Sequence, residues 1–401
     1  MQMIMMLVML VIGLGTLIGL FANAGQKLFL WFGPFFTGVN PLVFGIVYGM
    51  IEAAVMALFV LSRMPDSRIP RVVFLVDHYA LGVAVYVMLA VNLASLVLLI
   101  CRLCHLLPTP LPQAVTVVTG IVALALAVAV SVYGGIHASV IRTKNYEIAL
   151  QTDRTETDKA KSDKAEQASM RIVLISDIHL GYVIDEKHVK KIVAAVNAAE
   201  PDLVCIAGDI FDGDITAVKN PSVLQELFRE IKAPYGVYAC LGNHDAGTGY
   251  EEMLEFLDKA QIRLLQDEEV LIADKIILAG RKDSGPIGGQ GEKRAALADV
   301  AEESPPEAAK LPRIILDHRP ENIGEYHRST DLILCGHTHR GQMFPFNLVE
   351  KAVLEVDYGY YRQDEESPQA IVTSGVGTWG PPQRVGTDNE VVMIQVICSV
   401  G

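Results

Sequence analysis

Leu203-Val-Cys-Ile-Ala-Gly-Asp-Ile-Phe-Asp-Gly-Asp214 is the stretch whose reading decides the fold. Leu203 to Ala207 is an apolar run too short for a helix, and it reads as a strand buried on both faces. The run stops at Gly208-Asp209, so the strand hands a carboxylate to the edge of a sheet. Taken alone, such a pair begins an ordinary turn. Its neighbours in the chain give it more weight.

On either side the pattern alternates between strand and helix. Ile172 to Ile175 reads as a strand, followed by Val189, Ile192, Val193 and Val196 at helical spacing. After the Leu203 strand, Asn220 is expected to cap a helix that has Pro221 in its first turn and Leu224, Leu227, Phe228 and Ile231 on one side. Val237 to Leu241 is the next strand. Further strands are expected at 270–272, 276–279, 314–316, 332–335, 371–374 and 391–397. This alternation predicts a sheet with covering helices, whose site lies at the strand C-terminal ends. Between strands, 284–311 begins with glycines and reads as a mobile flap or surface insertion; no Gly-Lys-Ser/Thr follows, so it is not a phosphate-cradling loop.

Five motifs follow strands directly: Asp177-Ile-His179, Gly208-Asp209-Ile-Phe-Asp212, Gly242-Asn243-His244-Asp245, His318 in Leu-Asp-His-Arg-Pro, and Gly336-His337-Thr-His339. They hold five of the ten histidines, far more than satisfied core histidines would place there. Aspartate, asparagine and imidazole together form a donor set suited to Mn²⁺, Fe or Zn²⁺.

In that order the motifs resemble the calcineurin-like metallophosphoesterase superfamily, over about Arg171 to the C-terminus. Gly-Gln-Met-Phe-Pro, Tyr-Gly-Tyr-Tyr and Ser374-Gly-Val-Gly-Thr-Trp-Gly380 resemble a membrane-anchored subgroup similar to UDP-2,3-diacylglucosamine pyrophosphatases. The resemblance implies two packed β-sheets flanked by helices and two divalent metal ions. Asp177, His179, Asp209 and His339 would hold one ion. Asp209, Asn243, His318 and His337 would hold the other, with Asp209 shared. It implies hydrolysis of a phosphate ester or pyrophosphate by metal-activated hydroxide. His244 would then protonate the leaving oxygen or stabilise the transition state, with Asp212 orienting its ring. Asn243 and Arg340 would bind substrate phosphate, and Trp379 and Arg384 would stand near the pocket rim. The alternative is a catalytically silent membrane sensor or scaffold that binds a phosphorylated ligand.

The 401-residue chain has room for a second unit, and 51% of it is apolar. Residues 3–21, 43–61, 80–100 and 115–133 each have about the ~20 apolar residues that cross a hydrocarbon core. Ala22-Asn23-Ala24 looks like a cleavage site, but no basic region precedes the long apolar core, so an uncleaved helix is expected. The expected division is a transmembrane domain over 1–142, a charged linker over 143–170, in which Tyr146 to Leu150 reads as a short strand, and the phosphoesterase domain over 171–401. Arg63, Arg68, Arg71, Arg142 and Lys144 lie on one side of the four crossings, against Lys27 and Arg102 on the other. The catalytic domain should therefore face the cytoplasm, from the plasma membrane if the chain is bacterial. Six cysteines without a disulfide pattern agree with a reducing compartment. Gly15-x-x-x-Gly19 is a candidate helix contact, and Glu52 an ionisable group at membrane depth. The net charge of −13 argues against a nucleic-acid partner. The expected partners are the bilayer and a phosphorylated small molecule or lipid.

Overall fold

Apolar runs without a polar stripe make helices that are hydrophobic all round, and such helices are stable only when buried or in lipid. The computed structural model describes residues 2–64, 69–152, 168–247, 249–283, 294–296, 311–326 and 330–400. It contains four such helices: α1 (Gln2–Trp31), α2 (Pro41–Ser62), α3 (Arg71–Leu103) and α4 (Gln113–His137). All four are long and apolar enough to cross a membrane.

All four helices are longer than the apolar runs suggested, α1 and α3 most of all, because interior polar residues of these two are matched within the unit. Asn23 Nδ2 donates to Asn92 Oδ1 at 2.8 Å, and Asn92 Nδ2 donates to the Leu20 and Met88 carbonyls. α1 therefore continues past the cleavage-like Ala22-Asn23-Ala24. In α3, His78 is buried and contacts Phe74 O at 2.9 Å, which extends the helix nine residues before the expected start at Ala80. Gly15 and Gly19 do not form a close helix contact, since nothing lies within 4 Å of where their Cβ atoms would be. Close approach falls instead at Gly25, against the Tyr48 ring, and at Gly120, against Phe32. Arg68 lies outside the described residues.

The remainder of the chain, from Ile136, is a second compact unit. Among the described residues it holds two six-stranded sheets. The first has the order β1 (Ile141–Thr152), β12 (Asn389–Val400), β2 (Ala168–Ile175), β3 (Leu203–Ala207), β4 (Val237–Cys240), β5 (Ile262–Leu264). The second has the order β10 (Gly359–Tyr361), β11 (Gln369–Val372), β9 (Leu332–Cys335), β8 (Arg313–Leu316), β7 (Ile276–Gly280), β6 (Glu268–Ile272). The run β2-β3-β4-β5 is parallel, as is β11-β9-β8-β7.

Each face of β3 has its own partner, which explains the unbroken apolar run. Val204 and Ile206 pack under α5 (Glu186–Ala198), α6 (Pro221–Arg229) and α7 (Tyr250–Lys259), with Val193, Phe228 and Phe256 in the same cluster. Leu203, Cys205 and Ala207 face the second sheet through Leu278, Ile314 and Leu334. Burying each such side chain stabilises by about 1.5–3 kcal/mol.

Two expectations need correction. Residues 143–152, expected within a linker, are strand, because β1 pairs in parallel with β12. The short strand expected at Tyr146 to Leu150 is thus longer at both ends: as an edge strand it exposes Arg142, Lys144 and Glu147 while burying Ile148 and Leu150. Asn220 precedes α6 in a left-handed conformation and makes no capping bond; its amide donates to Glu186 Oε1 at 2.7 Å. Of the 284–311 segment, only 294–296 and 311 are among the described residues. Its reading as a flap falls on the remainder.

Candidate metal centre

Parallel strands direct their C-terminal ends the same way, so the turns after β2, β3, β4, β8 and β9 converge. Backbone bonds join them: Asp177 N donates to Gly208 O, His179 N to Asp209 O and Gly336 N to His318 O, all at 3.0 Å. The turns are tight enough to require left-handed backbone at Asp177, His179, Asp209, His337 and His339, with φ from 50° to 76°. Each such non-glycine residue carries strain of order 1–3 kcal/mol, which persists only where the surroundings enforce it. Gly242 permits the approach of the β4 turn, since a Cβ there would overlap Asp209 Oδ1.

The side chains gather into overlapping groups. Asp177, His179 and His339 offer ligand atoms within 4.8 Å of one another, as do Asp209, His318 and His337. His339 Nε2 is 3.0 Å from His179 Nε2 and 3.5 Å from Asp177 Oδ1. Asp209 Oδ2 lies 3.2 Å from His318 Nε2 and 3.7 Å from His179 Nε2, so one oxygen reaches both groups. The His244 amide donates to Asp209 Oδ1 at 2.8 Å, and Asn243 Oδ1 beside it is buried without a hydrogen-bond partner.

A third group is His179, Asp212 and His244. Asp212 Oδ1 stands 3.4 Å from His179 Nδ1, so it lies behind a candidate ligand as well as near His244. Trp379, 38% exposed, has its ring 5.8 Å from that of His244. Arg340 lays its guanidinium 4.2 Å over the Tyr358 ring.

Several supporting residues were not read from the sequence as such. Asp245 is fully buried and accepts from the amides of Phe211 and Gly242, tying the β3 and β4 turns together. Arg384 is not at a rim. It is fully buried and donates to the carbonyls of His339, Ser374 and Gly377 and to Asn389 Oδ1, which fixes the last histidine turn. Burial pushes its guanidinium down to about 10. Glu321 lies 3.8 Å from His337 Nε2. Nothing in a motif's spacing marks Arg384 or Glu321, because the histidine turn that each one meets lies in a different segment of the chain.

The chain's own charges set the protonation of the site. Burial works against the charged forms of His318 and Asp209, yet their pairing prevails: Asp209 is held well below the carboxylate range and His318 is pushed up to about 10. Burial and the charge on His318 push His337 down to about 3. Burial and His179 hold His339 well below the imidazole range. His318 Nδ1 contacts Ala207 O at 2.8 Å, which leaves Nε2 facing Asp209.

The model of the calcineurin-like phosphoesterase family matches residues 170–341. An uncharacterized metallophosphoesterase of Aquifex aeolicus is 30% identical over 272 residues, covering 68% of this chain and 97% of that one. A Danio rerio protein called transmembrane protein with metallophosphoesterase domain is 30% identical, covering 56% of this chain and 52% of its own. The Escherichia coli phosphodiesterase YaeI is 28% identical, covering 45% of this chain and 64% of its own. The chain belongs to the calcineurin-like phosphoesterases, a family whose centre uses two divalent metal ions.

Proposed function

We propose that the chain is a membrane-anchored, cytoplasm-facing phosphoesterase that hydrolyses a phosphate ester or pyrophosphate at a two-metal centre. The observation that carries this is Asp209 Oδ2, which lies within reach of His318 on one side and His179 on the other. The residues fit two cations: Asn243 Oδ1 is a buried oxygen without a partner, as a ligand position requires. One ion would be held by Asp177, His179, Asp209 and His339, the other by Asp209, Asn243, His318 and His337. Imidazole with carboxylate and amide oxygen suits Mn²⁺, Fe or Zn²⁺. Bound there, the cations would supply Lewis acidity and lower the pKa of water.

The chain's own groups orient and protonate. His244, half-buried between His179 and Trp379, stands where it can give a proton to a departing oxygen. Asp212 holds the His179 ring, Ala207 O holds the His318 ring, and Arg384 holds the His339 turn. Arg340, kept in place by Tyr358, would grip a substrate phosphate in bidentate fashion. The positive-charge bias of Arg63, Arg71, Arg142 and Lys144, together with six free cysteines, supports the cytoplasmic side. The name of the Escherichia coli relative, phosphodiesterase YaeI, makes a phosphodiester a natural first substrate.

The test uses the full chain in detergent, loaded with Mn²⁺ and offered bis-nitrophenyl phosphate. Wild type should bind two ions and release nitrophenol. Asp209→Asn should lower the rate at least about a thousandfold and lose metal. Full activity with two ions in that variant would refute the bridging role.

A further inference from the structure

Directly after the His337–His339 turn comes α8 (Phe346–Val353), an eight-residue helix turned inside out. At about 100° per residue, Leu348, Ala352, Val349, Val353 and Phe346 fall in one arc of about 160°, with Glu350, Asn347 and Lys351 in the remainder. A surface helix normally buries such an apolar arc. Here the polar arc faces inward: Asn347 Oδ1 and Glu350 Oε2 are buried, and the Asn347 backbone sits against Gly341. The apolar arc faces outward, with Val353 76%, Val349 56%, Leu348 54% and Phe346 42% exposed. Phe344, just before the helix, is also exposed.

We propose that α8 and Phe344 form an interfacial helix that rests in the lipid surface of a bilayer. An apolar face displayed outward needs an apolar phase, and this chain carries four helices long and apolar enough to cross a membrane, so a bilayer is always within reach. A second copy of the chain is a poorer occupant. An eight-residue helix is about 12 Å long and about 10 Å wide, far short of the ~800 Å² per partner of a stable dimer. Lys351, exposed at the edge of the apolar arc, is placed to reach lipid phosphates while its stem lies along the acyl boundary.

The docking also bears on the substrate, a step that rests on the phosphoesterase reading. Gly341, on which α8 sits, is two residues beyond His339, and Gln342 Nε2 donates to the carbonyl of Trp379, the aromatic beside His244. The interfacial helix and the metal end are therefore one continuous piece. A centre held at headgroup depth would take a lipid-borne phosphate ester or pyrophosphate directly from the bilayer.

The experiment reconstitutes the full chain in phosphatidylcholine and phosphatidylglycerol vesicles. Both tryptophans, Trp31 and Trp379, are replaced by Phe, and Val353→Trp is the only reporter. Expected is blue-shifted emission, about two-fold quenched by lipids brominated near the headgroup and shielded from acrylamide. Emission open to acrylamide and untouched by brominated lipid overturns the proposal. Shielding without lipid quenching also overturns it, since protein would then be the cover. Val349→Glu with Val353→Glu should lower hydrolysis of a vesicle-embedded phosphodiester about tenfold and leave bis-nitrophenyl phosphate unchanged. Equal rates on both substrates would remove the link to catalysis. Lipid quenching in the reporter, with a wild-type chain that hydrolyses neither substrate, would uphold the docking and reject the phosphoesterase reading.

Discussion

The contact between α1 and α3 and the metal end of the second unit treat buried polar groups in opposite ways. Where α1 meets α3, the Asn23 amide donates to Asn92 Oδ1 and the Asn92 amide donates to the Leu20 carbonyl, and these matches fix one packing arrangement. At the metal end like faces like. His179 Nε2 stands 3.0 Å from His339 Nε2, and His318 Nε2 stands 3.2 Å from His337 Nδ1. Two lone pairs at such distances repel unless a shared proton or a cation lies between them. Matched polar groups specify structure; convergent ones, held by strained backbone, specify a ligand.

The sharpest way to break the comparison is to titrate it. Because His318 is raised to about 10 by Asp209, a cation at its Nε2 must displace a proton at neutral pH. Metal affinity should rise about tenfold per pH unit, hence about a hundredfold from pH 6 to pH 8, as read by metal titration calorimetry. The metal-free chain should behave in the opposite sense. A raised imidazole contributes stability that is complete below its ordinary value of 6.5 and is lost as pH rises through about 10. A pH-independent affinity would show that His318 holds no proton to give up.

Asp212→Asn comes next in size. The carboxylate stands behind His179 rather than in a ligand position, so the variant should keep two ions but bind them about 10–100-fold more weakly. Competition against a graded chelator measures this. Unaltered affinity with a changed pH profile of hydrolysis would assign Asp212 to His244 alone. In the helical unit, Asn92→Leu should cost about 1–3 kcal/mol by stranding the Asn23 amide, and it should leave metal affinity untouched. Thermal unfolding in detergent, with and without metal, separates the two.

What was legible in the sequence follows from the same physics. β3 could be read because both its faces are buried, which forbids polar residues within it. The motifs could be read because ligand chemistry restricts the residue types at strand ends. β1 was legible only as a short strand at Tyr146 to Leu150, because an edge strand may carry charge on its open face, and α8 was not legible because its apolar arc faces outward and only polar atoms of it are buried. Asp245 ties its own turn to Phe211, and Arg384 ties the Ser374–Gly377 turn to His339, and no motif spacing records either link. The Gly15-x-x-x-Gly19 motif was legible yet misplaced: the spacing permits close contact without supplying a partner.

That last case gives the smallest expected effect. Gly19 meets nothing within 4 Å, so Gly19→Ala adds a methyl to open space, and removing a helical glycine changes stability by less than about 1 kcal/mol in the favourable direction. Gly120 faces the Phe32 ring, which a Cβ would meet at 2.8 Å, so Gly120→Ala must displace an aromatic side chain. Overpacking of that kind typically costs about 1–3 kcal/mol. The two substitutions are chemically identical and both lie in helices long enough to cross a membrane, so helix propensity cancels between them, while Gly19 is exposed and Gly120 buried. A thermal midpoint unchanged or raised in the first and lowered in the second locates the helix contact at Gly120. Equal loss in both would mean that Gly19 packs against a partner beyond this chain.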